Sequence, residues 1–222
     1  DIVGVQEIQD NNGPINDGVV DASLPFGTLV GAIQAAGGPA YAFVSIDPVD
    51  DADGGEPGGN IRTGLLYDPA RVRFIGRPGG TATAAVSVVA GPAGPALSYS
   101  PGRIDPLNPA FSNSRKPLAA EFRYNGRKVF VINNHLNSKG GDDPLFGRYQ
   151  PPARSSESQR TQQAMVLKGF VEQLLAADAS ARVVVLGDLN DFQFSDTLGI
   201  LESTGLETLV ETHSPEELEQ VL

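Results

Sequence analysis

A chain of 222 residues with 27 acidic and 16 basic side chains carries a formal net charge of −11, so its surface as a whole repels polyanions. That counts against simple electrostatic nucleic-acid binding but does not exclude a phosphodiester substrate, since a metal ion and a few placed arginines still supply local positive charge. The lack of cysteine excludes disulfides and zinc–thiolate sites, and no apolar run approaches the roughly 20 residues of a membrane span.

The length suits one domain over residues 1–222. Asp1-Ile2-Val3 opens inside a strand pattern with no initiator methionine, so the chain is expected to be an excised piece of a longer one. Ile2 to Val5 predicts a strand ending at Gln6-Glu7, followed by a polar loop from Gln9 to Asn16. Leu29, Ile33 and Ala36 keep helical spacing, and Gly37-Gly38-Pro39 stops that helix. Tyr41 to Val44 predicts a second strand. Asp47 to Gly59 holds Asp50, Asp51, Asp53 and Glu56 among glycines and prolines. Its spacing fits no full calcium motif, so it reads as a solvated acidic loop.

Ile61 to Tyr67 resumes strand character before Asp68-Pro69, and Val72 to Ile75 is expected to pair nearby. From Gly76 to Asn113, where only Ala85 to Val89 is strand-like, the composition predicts a long surface excursion. Leu118 to Tyr124, Asn125-Gly126 and Arg127 to Asn133 spell a hairpin, because both central residues of its tight turn need positive φ. That return strand empties into Asn134-His135, and a loop runs from Leu136 to Ala153. Ser155 to Ala177 is the strongest helix, with Ala164, Leu167, Phe170, Val171, Leu174 and Leu175 on one stripe and Arg154, Arg160 and Lys168 on the rest.

Arg182 to Leu186 is apolar enough to be covered on both faces, and Gly187-Asp188-Leu189-Asn190-Asp191 carries carboxylate and amide groups into a turn. Asp196 to Glu202 predicts a short helix closed near Gly205. Ser214-Pro215-Glu216-Glu217 has the N-cap and first-turn signals of a last helix.

Three strand ends, at Glu7, His135 and Asp188 to Asn190, thus present polar groups directly after apolar runs, the way α/β enzymes mount sites on rigid elements. Val5-Gln6-Glu7-Ile8, Asn134-His135-Leu136-Asn137-Ser138-Lys139 and Gly187-Asp188-Leu189-Asn190-Asp191 resemble, in order, the motifs of the endonuclease/exonuclease/phosphatase superfamily, the DNase I-like proteins. Ser114-Arg115-Lys116-Pro117 resembles its Arg-x-Pro element, and Ile61 to Pro69 its strand ending in Tyr-x-Pro. Within that superfamily the likeness is to bacterial exported nuclease-like domains, which implies a secreted or cell-envelope location.

The resemblance implies an α/β fold of four layers, α/β/β/α, with two mixed and mostly antiparallel sheets. It implies a phosphoesterase dependent on Mg²⁺ or Mn²⁺, with Ca²⁺ as an alternative, acting on nucleic acid or another phosphoester. Glu7 takes the place of the metal ligand. Asp188 and Asn190 take those of the groups acting on water and phosphate, and His135 that of the phosphate-contacting histidine. Arg115 would neutralise phosphate charge. The superfamily's histidine-orienting carboxylate falls near Asn60, where an amide stands instead. Its first strand, with a metal-proximal asparagine, and its closing Asp-His pair have no match. His213 lacks the preceding aspartate, so the expected activity of these 222 residues is weak. Rival readings are a phosphomonoesterase, a sphingomyelinase-like phospholipid diesterase and a non-catalytic interaction domain. No protein partner is implied.

Overall fold

The structure, a computed structural model, describes residues 1–209. The helix expected from Ser214 and the residue His213 lie outside them. The strands are β1 (Ile2–Ile8), β2 (Ala42–Ser45), β3 (Arg62–Tyr67), β4 (Arg73–Phe74), β5 (Val88–Gly91), β6 (Gly94–Leu97), β7 (Gly102–Arg103), β8 (Leu118–Tyr124), β9 (Arg127–His135) and β10 (Arg182–Asp188). The helices are α1 (Ser23–Ala35), α2 (Glu157–Ala177) and α3 (Asp196–Glu202), with a single 3₁₀ turn at Pro109–Phe111. Among the described residues, no helix is long and apolar enough to cross a membrane.

One sheet runs β1-β3-β2, all antiparallel, and the other runs β10-β9-β8-β4 with β7 also on β8. In the second sheet only the β10–β9 pair is parallel. The two-residue period of a strand sorts the side chains between layers. Phe130 and Ile132 of β9 pack under Leu167, Phe170, Val171 and Leu174 of α2. Val131, with Leu118, Ala120 and Phe122 of β8, meets Leu65 of the other sheet. Leu66 turns the opposite way, onto Phe26 of α1. The result is α1, sheet, sheet, α2: the four-layer α/β sandwich expected.

The β8–β9 hairpin turns at Asn125 (φ 47°) and Gly126 (φ 76°), the positive angles that its sequence predicts. Three other expectations are corrected. β10 is the edge strand of its sheet and is not covered on both faces. Val183 and Val185 pack toward α2, while Val184 on the other face is 39% exposed.

The excursion over Gly76 to Asn113 is no surface loop. It contributes a β5–β6 hairpin, and it buries Val86, Leu97, Ile104 and Phe111. Its backbone is tied down by the buried carboxylate of Glu121, which accepts from the Leu97 amide at 2.8 Å. Apolar residues spaced irregularly among Gly and Pro gave no period to read.

The acidic loop is solvated only in part: Asp47, Asp50, Asp51 and Glu56 are exposed, but one of its acids is not. Asp53 is buried between Arg103 at 2.9 Å and Lys116 at 2.8 Å. Asp51 accepts from the Gly58 amide at 2.7 Å, and Asp47 pairs with the buried Arg62. Carboxylates and cations far apart in sequence neutralise each other, which single-segment composition cannot show.

Candidate active site

Strand parity decides what faces the space between the sheets. On β9, Val129, Val131, Asn133 and His135 share one face; on β10, Val184, Leu186 and Asp188 do, and the parallel register places Asp188 beside His135. On β1, Ile2, Gly4 and Gln6 point the same way: Gly4 lies against Leu186 and Asn133, and the Gln6 amide donates to Asn133 Oδ1 at 2.7 Å. Regular alternation would then turn Glu7 toward α1.

A bulge prevents this. Val5 pairs with Gly64 but Ile8 with Arg62, so one extra residue sits on β1, and Glu7 adopts φ 59°. Val5 and Ile8 both face α1 across the bulge, and Glu7 swings to the other side. Its Oε1 lies 3.7 Å from His135 Nε2, and Asp188 Oδ2 lies 3.7 Å from the same nitrogen. The imidazole is 4% exposed, whereas the two carboxylates are largely open to solvent.

Arg115 and Asn190 close the other side. The Leu136 carbonyl, directly after His135, accepts from Arg115 Nη2 at 2.9 Å and from Asn190 Nδ2 at 3.1 Å. Asn190 holds the left-handed conformation (φ 51°) in an Asx turn, its amide donating to Asp188 Oδ1 at 2.9 Å. Gly187 is required one residue earlier, because at φ 118° a Cβ there would overlap the Asn134 carbonyl oxygen. Glu7, His135, Asp188, Asn190 and Arg115 are thus brought to one rim.

Asn60 is not at that rim. Its amide nitrogen donates to Asp10 at 3.1 Å, to the Val19 carbonyl at 2.9 Å and to Asp50 at 3.0 Å, and its oxygen accepts from the Asp51 amide. With its side chain committed to the acidic loop, Asn60 does not orient His135. The buried Nδ1 of His135 has no hydrogen-bond partner among the described residues.

Burial, and after it the charge of Arg115, push the His135 pKa below its usual value against the pull of Asp188 and Glu7. Both effects favour the neutral ring. Arg115 is itself disfavoured by burial, and the carboxylates of Glu7, Asp188 and Asp53 offset part of that cost.

Four residues that build this rim escaped the sequence reading. Asn133, fully buried, donates from Nδ2 to the Gly64 carbonyl at 2.7 Å and to the Val5 carbonyl at 3.1 Å, fastening one sheet to the other. Gln163 accepts from the Asn137 amide at 2.8 Å and donates to Ser114 Oγ at 2.8 Å, joining the loop after His135 to the loop bearing Arg115. Arg160 is 1% exposed, not the surface decoration expected; it binds Asp191 at 3.0 Å and the carbonyls of Asn137 and Ser138 at 3.4 Å. Asp53 holds Lys116, the neighbour of Arg115. A signal existed for two of them: Arg160 and Gln163 lie one turn before Ala164 and Leu167, on the buried stripe of α2.

The donor set suits a hard cation that keeps most of its waters. Glu7 and Asp188 supply two open carboxylates, and among the described residues no group of three or more His, Cys, Asp or Glu is arranged to enclose a metal. One or two carboxylates plus a phosphate oxygen is how Mg²⁺ or Mn²⁺ is ordinarily held, whereas Ca²⁺ takes six to eight oxygens.

Two mostly antiparallel sheets with helices outside and polar strand ends meeting over one histidine define an α/β sandwich with one polar rim. The chain belongs to the endonuclease/exonuclease/phosphatase family, whose model matches residues 1–218. Among solved structures it is similar to a humanized TDP2 from D. rerio, with 18% identity over 90% of this chain and 56% of that one at a TM-score of 0.45. It is also similar to sphingomyelinase C from Streptomyces griseocarneus, with 17% identity over 92% of this chain and 56% of that one at a TM-score of 0.48. A family protein from Leptotrichia buccalis gives 12% identity over 92% of this chain and 62% of that one at a TM-score of 0.45. The chain thus spans little more than half the length of these structures. No curated protein matches the sequence.

Proposed function

We propose that the protein is a divalent-metal-dependent phosphodiesterase, a nuclease that hydrolyses phosphodiester bonds by attack of water. The observation that carries this reading is the convergence of Glu7, from one sheet, and Asp188, from the other, on His135 Nε2 at 3.7 Å each.

Glu7, with Asp188 beside it, would hold Mg²⁺ or Mn²⁺, which when bound supplies Lewis-acid polarisation of the phosphate. The chain's own groups do the rest. The open Asp188 carboxylate accepts a hydrogen bond from the attacking water and aligns it with phosphorus. Asn190 keeps one amide hydrogen on the Leu136 carbonyl and offers the other to a phosphoryl oxygen, fixed in direction by its Asx turn. Neutral His135, with its proton on Nε2 where both carboxylates face it, donates to a second phosphoryl oxygen. Arg115 offsets the charge that gathers on phosphate in the transition state; held by Leu136, it needs little reorganisation.

The test is hydrolysis of plasmid DNA, RNA and p-nitrophenyl phosphate with Mg²⁺ or Mn²⁺, beside Asp188→Ala. The reading expects metal-dependent cleavage of a nucleic acid that Asp188→Ala abolishes. Turnover of the monoester alone would replace nuclease by phosphomonoesterase. Absence of metal-dependent turnover on all three substrates would end both.

A further inference from the structure

Beside the rim lies an aromatic and cationic surface that the hydrolytic reading leaves unused. Phe192 and Phe194 stack with centroids 5.2 Å apart and planes 3° from parallel. The Lys139 ammonium sits 3.8 Å from the Phe192 centroid. Among the described residues that ammonium makes no ion pair and no hydrogen bond. Phe194 is 61% exposed although it is large and apolar.

This surface is built, not incidental. Lys139 follows His135 and Phe192 follows Asp188 by the same short run, and four residues of chain reach at most about 14 Å. Both runs are held by one buried guanidinium: Arg160 binds the carbonyls of Asn137 and Ser138 on one side and the Asp191 carboxylate on the other. Thr197 donates to the same carboxylate at 2.8 Å, and the Phe192 amide donates to its second oxygen at 3.0 Å. The rings and the cation therefore keep a set position relative to the strand ends.

We infer that Phe192, Phe194 and Lys139 form a subsite for an unpaired nucleobase next to the cleaved phosphate, so that the substrate is single-stranded nucleic acid. The inference rests on the phosphodiesterase reading and names its substrate. Two rings already lying parallel present a flat face on which a base continues the stack, and every base has such a face. In a protein of net charge −11, an ammonium that rests on the Phe192 ring and is neutralised by no carboxylate among the described residues supplies the local positive charge that a neighbouring phosphate needs. A lipid chain has no plane to match the stacked pair.

The chain has no tryptophan, so Phe194→Trp places one fluorophore in the subsite, and the exposure of Phe194 makes the change tolerable to the fold. The expected result is quenching of the introduced indole by single-stranded oligothymidylate in EDTA, and no quenching by inorganic phosphate. Lys139→Gln should weaken that binding about fivefold or more and lower the slope of log affinity against log salt by about 0.7. Two results overturn the inference: no response to the oligonucleotide, or a blue shift with sphingomyelin–phosphatidylcholine vesicles in place of it. Metal-dependent turnover of bis(4-nitrophenyl) phosphate by the unaltered protein is measured alongside. Its loss strikes the phosphodiesterase reading, whereas loss of quenching strikes the stacking subsite.

Discussion

The side-chain amide of Asn133 on β9 donates to the carbonyl oxygen of Gly64 on β3 at 2.7 Å, a bond that crosses from one sheet to the other. Since β1 is fixed to β3 and also to Asn133, this side chain ties the strand that carries Glu7 to the strand that carries His135. Asn133→Ala strips a buried carbonyl and a partly buried one of a donor and should cost about 1–3 kcal/mol in denaturant-unfolding stability. It should also lower turnover, because Glu7 and His135 then lose their common register. Unfolding and activity measured on the same preparation check both.

Two glycines should respond in opposite directions. Gly187→Ala forces a Cβ into the Asn134 carbonyl at a backbone angle that L-residues avoid, and it should destabilise by about 2–4 kcal/mol while displacing Asp188. Gly169, in the middle of α2, has nothing within 4 Å of a built Cβ. Gly169→Ala should raise stability by about 0.5–1 kcal/mol. Thermal melts of the pair give the comparison.

Acid should loosen the loops that flank the rim once pH falls below the ordinary carboxylate range. Burial works against the charge of Asp191, but the Thr197 hydroxyl, Arg160 and the Phe192 amide hold its pKa below 3.8. For Asp142, burial is likewise outweighed by hydrogen bonds from Ser156 and by Arg160. Both carboxylates bind protons less readily folded than unfolded. Their contribution to stability is thus complete above about pH 3.8 and is lost as pH falls through the lower folded values. Midpoints of unfolding measured from pH 5 down to pH 3 should fall, and the fall should be shallower in Asp191→Asn.

Much of this was legible in the residues themselves. The Asn125-Gly126 hairpin, the stripe of α2 and the strand ends at Glu7, His135 and Asp188 are all local patterns, and local patterns survive folding. What escaped depends on partners distant in sequence. Asp53 reads as a loop acid until Arg103 and Lys116 arrive from elsewhere. Val184 reads as core until β10 is seen at a sheet edge. The bulge that turns Glu7 inward leaves no mark on Val5-Gln6-Glu7-Ile8, since it exists only in the register against β3. Asn60 was placed by analogy with a carboxylate, and its own hydrogen bonds hold it in the acidic loop.

The central claim is that Glu7 and Asp188, from different sheets, act as one unit around His135. A double-mutant cycle on metal-dependent phosphodiester hydrolysis tests it most directly, comparing Glu7→Gln, Asp188→Asn and the two together. Groups that act as a unit lose nearly everything at the first removal, so the double variant should be no slower than the worse single one. Losses that simply multiply, or a Glu7→Gln enzyme as fast as the unaltered protein, would contradict the account.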